Sequence, residues 1–120
     1  MTTILVVDDE PAIRELLRHF LEDRGCYVET AGSVGDAIYI LERDIINAVV
    51  LDVRMPGRSG LELLEFMRLD ESLRDIPVVI LTGATLTPAE EAIISRDKAD
   101  VLYKSEDLDQ LASHLDRLTR

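Results

Sequence analysis

The chain is poor in the residues that several common functions need. It has one cysteine, Cys26, so no intrachain disulfide can form, and a reduced, cytoplasmic setting fits. Beside its two histidines, His19 and His114, no Cys/His set has the spacing of a zinc site. Basic residues number 13 against 24 acidic ones, and the net charge of −11 leaves no basic stripe of the kind that neutralises nucleic-acid phosphates. No apolar run approaches the roughly 20 residues that cross a bilayer, and the N-terminus lacks the basic, apolar and cleavage-site pattern of a signal peptide. Repeats, low-complexity tracts and flexible linkers are also missing. The expectation is one cytoplasmic domain over residues 1–120, with no membrane and no direct nucleic-acid partner.

What is present is a strand–helix alternation, five times over. The runs at 4–7, 48–51 and 78–81 are apolar throughout, as strands covered on both faces are. Tyr27-Val28-Glu29-Thr30 mixes polar and apolar residues and reads as an edge, and the short Val101-Leu102-Tyr103 reads as the other edge. The first helix is expected over Pro11 to about Arg24, with Ile13, Leu16, Leu17, Phe20 and Leu21 inward and Gly25 just past its end. The second is expected over Ser33 to about Arg43. Ser59 with Glu62, and Thr87 with Glu90, have capping-box spacing and start the third and fourth helices. The fifth follows Ser105, a residue able to cap it, with Leu108, Leu111, Ala112, Leu115 and Leu118 on one face. This order implies an α/β fold, a (βα)5 three-layer sandwich around a parallel sheet of order 2-1-3-4-5. In such sheets ligands bind beyond the strand C-termini where the order reverses, here between strands one and three.

Most of the acidic residues suit a solvated surface, but three abut apolar runs. Strand one ends at Asp8-Asp9 and strand three at Asp52; strand four ends at Thr82, and Lys104 follows strand five. Parallel strands bring all five groups to one edge. Three crowded carboxylates repel one another, and a divalent cation removes the conflict. Magnesium, which takes carboxylate, carbonyl and water oxygens, matches the set, with manganese as the alternative ion. An ionised aspartate can attack a phosphoryl group, and a lysine and a hydroxyl can hold the oxygens as they move. Asp52, backed by Asp8, Asp9, Thr82 and Lys104, is therefore a phosphoacceptor candidate.

The chain resembles a single-domain, CheY-like receiver domain of two-component response regulators, a flavodoxin-like fold. The resemblance rests on Ile4-Leu5-Val6-Val7-Asp8-Asp9-Glu10, on Asp52-Val53-Arg54-Met55-Pro56-Gly57 with Gly60, on Leu81-Thr82-Gly83-Ala84 and on Lys104. It implies that Asp52 takes a phosphoryl group from a histidine kinase or a histidine phosphotransfer protein. It implies that Asp9 and Asp52 ligate Mg²⁺ directly, Asp8 through water, and Arg54 through its backbone carbonyl. Thr82 and Lys104 would hold phosphoryl oxygens, and Gly83 would leave them room. An output protein or domain would read helix four, strand five and helix five. Such a domain assists its own phosphorylation and dephosphorylation and is not a turnover enzyme on an external substrate. Two positions depart from the pattern: Val101 stands where receivers carry an aromatic, and Ser105 where they carry a proline.

Other readings stay beside this one. A flavin or nucleotide domain would need a Gly- or Ser/Thr-rich turn after strand one, and Asp8-Asp9-Glu10-Pro11 repels phosphate. An aspartate-dependent phosphatase would need cap elements that 120 residues barely allow. A pseudo-receiver would keep the fold as an interaction module alone. His19 and His114 are expected in solvent and Cys26 in the packing. Tyr103 packs on a helix or reaches the surface, and the Arg54 side chain is either a free loop residue or lies over the phosphoryl group.

Overall fold

The structure, a computed structural model, describes residues 2–83, 85–104 and 108–119. Five strands alternate with five helices: β1 Thr3–Val7, α1 Pro11–Glu22, β2 Tyr27–Ala31, α2 Val34–Arg43, β3 Ala48–Leu51, α3 Gly60–Leu69, β4 Val78–Thr82, α4 Pro88–Arg96, β5 Asp100–Tyr103 and α5 Leu108–Leu118. All pairings are parallel and the strand order is β2-β1-β3-β4-β5, as expected. Register decides where the chemistry goes. Val7 is level with both Ala31 and Leu51, Leu51 with Ile80, and Thr82 with Tyr103. Asp8 and Asp52 are thus each one step past neighbouring strand ends, and Thr82 and Lys104 close the adjacent pair.

Strand alternation sends successive side chains to opposite layers. Ile4, Val6, Val50, Val79 and Leu81 pack with Leu17 and Leu21 of α1 and Leu111 and Leu115 of α5. Leu5, Val7, Val49, Leu51 and Ile80 pack with α2, α3 and α4 through Ala37, Leu41, Leu63, Leu64, Met67 and Ile94. β1, β3 and β4 are almost wholly buried, whereas β2 and β5 expose residues along their length, which confirms the edge assignments.

Both capping expectations hold. The Ser59 hydroxyl accepts from the Leu61 amide at 3.1 Å while Glu62 accepts from the Ser59 amide at 3.1 Å. Thr87 and Glu90 exchange bonds in the same way, at 3.1 and 2.9 Å. The cap expected from Ser105 lies outside the described residues, as do Ala84, Glu106 and Asp107.

Three expectations need correction. α1 ends at Glu22, because the chain turns through Gly25 at φ +89°. Leu16, expected inward, is 52% exposed. It stands on the rim of a small apolar cleft between α1 and α5, about 60 Å³, with Ile13, Leu102, Tyr103 and the Lys104 stem around it. His114 is not a free solvent residue. Its ring lies 2.9 Å from an Asp100 carboxylate oxygen on β5 and 2.9 Å from the Arg117 guanidinium on α5, bridging the two elements. His19 is exposed and pairs with Glu15, one turn earlier. Cys26 is half-buried against the α1/α5 core, and burial, then the charge of Asp116, raises its thiol pKa.

Candidate functional site

The five predicted groups come together at the C-terminal edge of the sheet. Asp8 and Asp52 are buried at 3% and 6% exposure, and Thr82 is fully buried. Carboxylate oxygens of Asp8, Asp9 and Asp52 lie within 4.8 Å of one another. Lys104 reaches across the edge. Its Nζ donates to Asp8 Oδ2 at 3.0 Å and to Asp52 Oδ2 at 3.4 Å. Its own amide donates to the Thr82 carbonyl at 2.9 Å, so β4 fixes where the lysine starts. Gly83 lies against the lysine stem: a Cβ there would stand 3.6 Å from Lys104 Cδ, an ordinary contact.

The second oxygens of the two buried carboxylates are held by main chain. Asp8 Oδ1 accepts from the Glu10 amide at 2.9 Å, and Asp52 Oδ1 from the Arg54 amide at 3.3 Å. Burial raises the Asp52 pKa; the Lys104 charge opposes that rise and the Asp8 charge adds to it. Burial alone would lower the Lys104 pKa, but the hydrogen bond and charge of Asp8, joined by Asp52, outweigh it and raise it. One ammonium against three carboxylates leaves the site two charges negative. An all-oxygen donor set with that deficit suits Mg²⁺ and fails the preferences of softer ions.

Three residues matter here whose roles at the site the sequence did not reveal. Arg14 of α1 donates from Nη1 to the Asp8 carbonyl at 2.7 Å and so ties the β1–α1 loop to its helix. It passes so close to Gly32 that a Cβ there would be 3.0 Å from Nη1. Gly60 opens α3 directly on the strand end: a Cβ there would fall 2.0 Å from the Asp52 carbonyl oxygen. Glu90 of α4 receives the Arg54 side chain. The Arg54 guanidinium is neither free in the loop nor over Asp52. It makes a two-pronged ion pair with Glu90 and also donates to the Thr85 carbonyl at 2.9 Å. Gly60 carried part of the family resemblance without a stated role, and the capping-box spacing of Glu90 points to the helix rather than to Arg54; Arg14 had no sequence signal.

The chain matches known proteins along nearly its whole length. Residues 4–116 match the family model described as the response regulator receiver domain. The response regulator MprA of Mycolicibacterium vanbaalenii is 36% identical over 117 residues, covering 98% of this chain and 50% of that protein. The chain thus spans about half the length of that relative. The chemotaxis protein CheY4 of Vibrio cholerae superposes with a TM-score of 0.89 at 28% identity, covering 98% of both chains. The response regulator TrrA of Thermotoga maritima, solved in complex with Mg²⁺ and BeF, superposes with a TM-score of 0.87 at 33% identity, covering 98% of this chain and 99% of that one.

Proposed function

The chain belongs to the response regulator receiver family of two-component signalling, and we propose that Asp52 is its phosphoacceptor. Receiver domains are phosphoacceptors that bind Mg²⁺ at an acidic pocket. For this chain, Asp9, Asp52, the Arg54 carbonyl and, through water, Asp8 would hold the ion, and Mn²⁺ fits the same oxygens. Bound there, the metal supplies positive charge that neutralises the oxygens of the transferring phosphoryl group.

The chain's own residues do the rest. An Asp52 carboxylate oxygen forms the new P–O bond as the P–N bond of a phosphohistidine breaks. The histidine ring leaves with that electron pair and takes up a proton. Lys104, between Asp8 and Asp52 at 3.0 and 3.4 Å, moves onto a phosphoryl oxygen as charge builds. Thr82, buried at the end of β4, donates its hydroxyl to another oxygen. The partner is a histidine kinase or a histidine phosphotransfer protein, docking on the α1 rim at Leu16. The readers of the phosphorylated state approach α4, β5 and α5. The protein consumes one phosphoryl group per site and turns over no external substrate. Among the described residues no helix is long and apolar enough to cross a membrane, and a cytoplasmic location fits these partners.

The observation that carries this reading is the meeting of Lys104 with Asp8 and Asp52 beside Asp9. Incubation with phosphoramidate, with and without Mg²⁺, followed by intact mass, tests it. The expected result is one phosphoryl unit gained only with the metal and none in Asp52→Asn. A fold-competent chain that gains no mass would be an interaction module alone.

A further inference from the structure

α4 is lightly held. Of its nine residues only Ile94 is buried, so its position depends on polar ties at its two ends. At the C-terminal end Arg68 Nε donates to the Asp97 carbonyl at 2.7 Å, and Arg96 pairs with Glu65 of α3 at 2.9 Å. At the N-terminal end the tie is the Arg54–Glu90 pair, reinforced by the Arg54 bond to the Thr85 carbonyl. The Glu90 carboxylate does two jobs there. Its Oε1 caps α4 by accepting from the Thr87 amide at 2.9 Å, and the same oxygen accepts from Arg54 Nη2 at 2.9 Å.

Arg54 is joined to the phosphoacceptor as well. Its amide holds Asp52 Oδ1 at 3.3 Å, and its guanidinium lies near enough to feel the Asp52 charge. The guanidinium is half-exposed while the Glu90 carboxylate is mostly covered, so the cation is the partner free to move. A phosphoryl group adds roughly 1.5 to 2 negative charges and three acceptor oxygens at a position two residues away. A guanidinium can meet such an oxyanion with two parallel bonds, as it now meets Glu90, and the phosphoryl group offers it the larger negative charge.

We propose that the Arg54–Glu90 pair is a latch that phosphorylation of Asp52 opens, so that Arg54 turns from Glu90 and Thr85 toward the phosphoryl group and the N-terminal end of α4 is released. The C-terminal ties to Arg68 and Glu65 stay closed, and α4 swings about that end. The device rests on Asp52 being the phosphoacceptor, and it gives α4 a direct line to the site through one side chain.

The test uses Glu90→Gln in the full chain. Glutamine keeps the capping acceptor and removes the charge that holds Arg54. Hydrogen exchange is read at the Glu90 and Glu91 amides, whose bonds to Thr87 close the first turn of α4. In the wild-type chain, phosphorylation with phosphoramidate and Mg²⁺ is expected to speed these amides about two- to fivefold, the scale of a lost solvent-accessible ion pair. Glu90→Gln is expected to exchange at the faster rate before phosphorylation and to change no further after it, while still gaining one phosphoryl unit. Arg54→Met is expected to show the same pre-loosened α4. A chain that gains mass while its α4 amides stay unchanged, or a Glu90→Gln variant that still responds to phosphorylation, overturns the latch alone. A wild-type chain that gains no mass overturns the phosphoacceptor reading and the latch with it.

Discussion

Replacing Gly60 with alanine probes how closely α3 is seated on the strand end that carries Asp52. The added Cβ would stand 2.0 Å from the Asp52 carbonyl oxygen, 3.0 Å from its carbonyl carbon and 3.1 Å from Leu51 Cδ1. A carbon and an oxygen in weak contact sit at about 3.3–3.6 Å, so α3 and the strand end must part by about 1.3 Å. Neither side yields easily. Gly60 donates its amide to the Val53 carbonyl at 2.9 Å, and the Asp52 amide is bonded to the Val7 carbonyl at 2.9 Å. Overpacking of this kind costs about 1–3 kcal/mol, and the strained Gly60–Val53 bond about 1 more. Alanine returns up to about 1 kcal/mol through its better helix propensity. The net loss is about 1–3 kcal/mol, which lowers the melting temperature of a domain this size by about 3–15 °C. Displacement of Asp52 by an ångström also slows phosphoryl uptake by about 100-fold. Circular dichroism melts and intact-mass time courses measure the two effects. Gly35→Ala in α2, where a Cβ meets nothing within 4 Å, is the control and is expected to melt at or slightly above the wild-type temperature. A Gly60→Ala protein that melts within a degree of wild type and takes up phosphoryl at the same rate would refute the argument.

Lys104→Met removes the cation that bridges Asp8 and Asp52; metal-free stability at pH 7 is expected to fall by about 1–3 kcal/mol while Mg²⁺ affinity rises, and weaker Mg²⁺ binding by calorimetry would contradict this. Asp52→Asn is expected to stabilise the metal-free protein at pH 7. Burial and the Asp8 charge hold the Asp52 pKa above 3.8, so the contribution of its protonated form is full below 3.8 and is lost as pH rises through the raised value. The melting-temperature advantage of the variant should therefore open as pH rises, and a constant difference across pH would count against it. Glu90 behaves in the opposite sense. Its bond to Arg54 lowers its pKa from 4.5 to about 2, so its contribution is full above 4.5 and is lost as pH falls through about 2. The stability difference between wild type and Glu90→Gln should close over that window in acid titrations followed by circular dichroism.

The sequence made the sheet and its functional edge legible for one reason. Fully buried parallel strands leave uninterrupted apolar runs, and a polar residue that stops such a run is placed at the strand end. Ile4–Val7 before Asp8 and Ala48–Leu51 before Asp52 are both of this kind, and both residues are where they were expected. Side chains that reach between elements leave no such trace. The capping-box spacing predicted one partner for Glu90, the Thr87 amide, but nothing local foretold a second partner 36 residues away. Arg14 sat on the polar face of α1 with nothing to distinguish it from Arg18, yet it carries the Asp8 loop. Leu16 met the helical period and is still half exposed while Leu17 and Leu21 are buried, because it lies at the margin of the apolar stripe and periodicity does not report how far a neighbouring layer covers that stripe. His114 was assigned to solvent from its face of α5, and its tie to Asp100 depends on how closely α5 approaches the edge strand.

The bond between Lys104 and Asp8 joins positions 96 residues apart. The ammonium arrives only with the final strand, which pairs with β4 and nothing else in the sheet. A nascent or clipped chain that stops short of β5 holds its acidic triad without the ammonium that bridges Asp8 and Asp52. With Asp52 in its proposed role, phosphoryl uptake is a late property of the folding chain, and a mass gain of one phosphoryl unit is expected only once the last strand has docked.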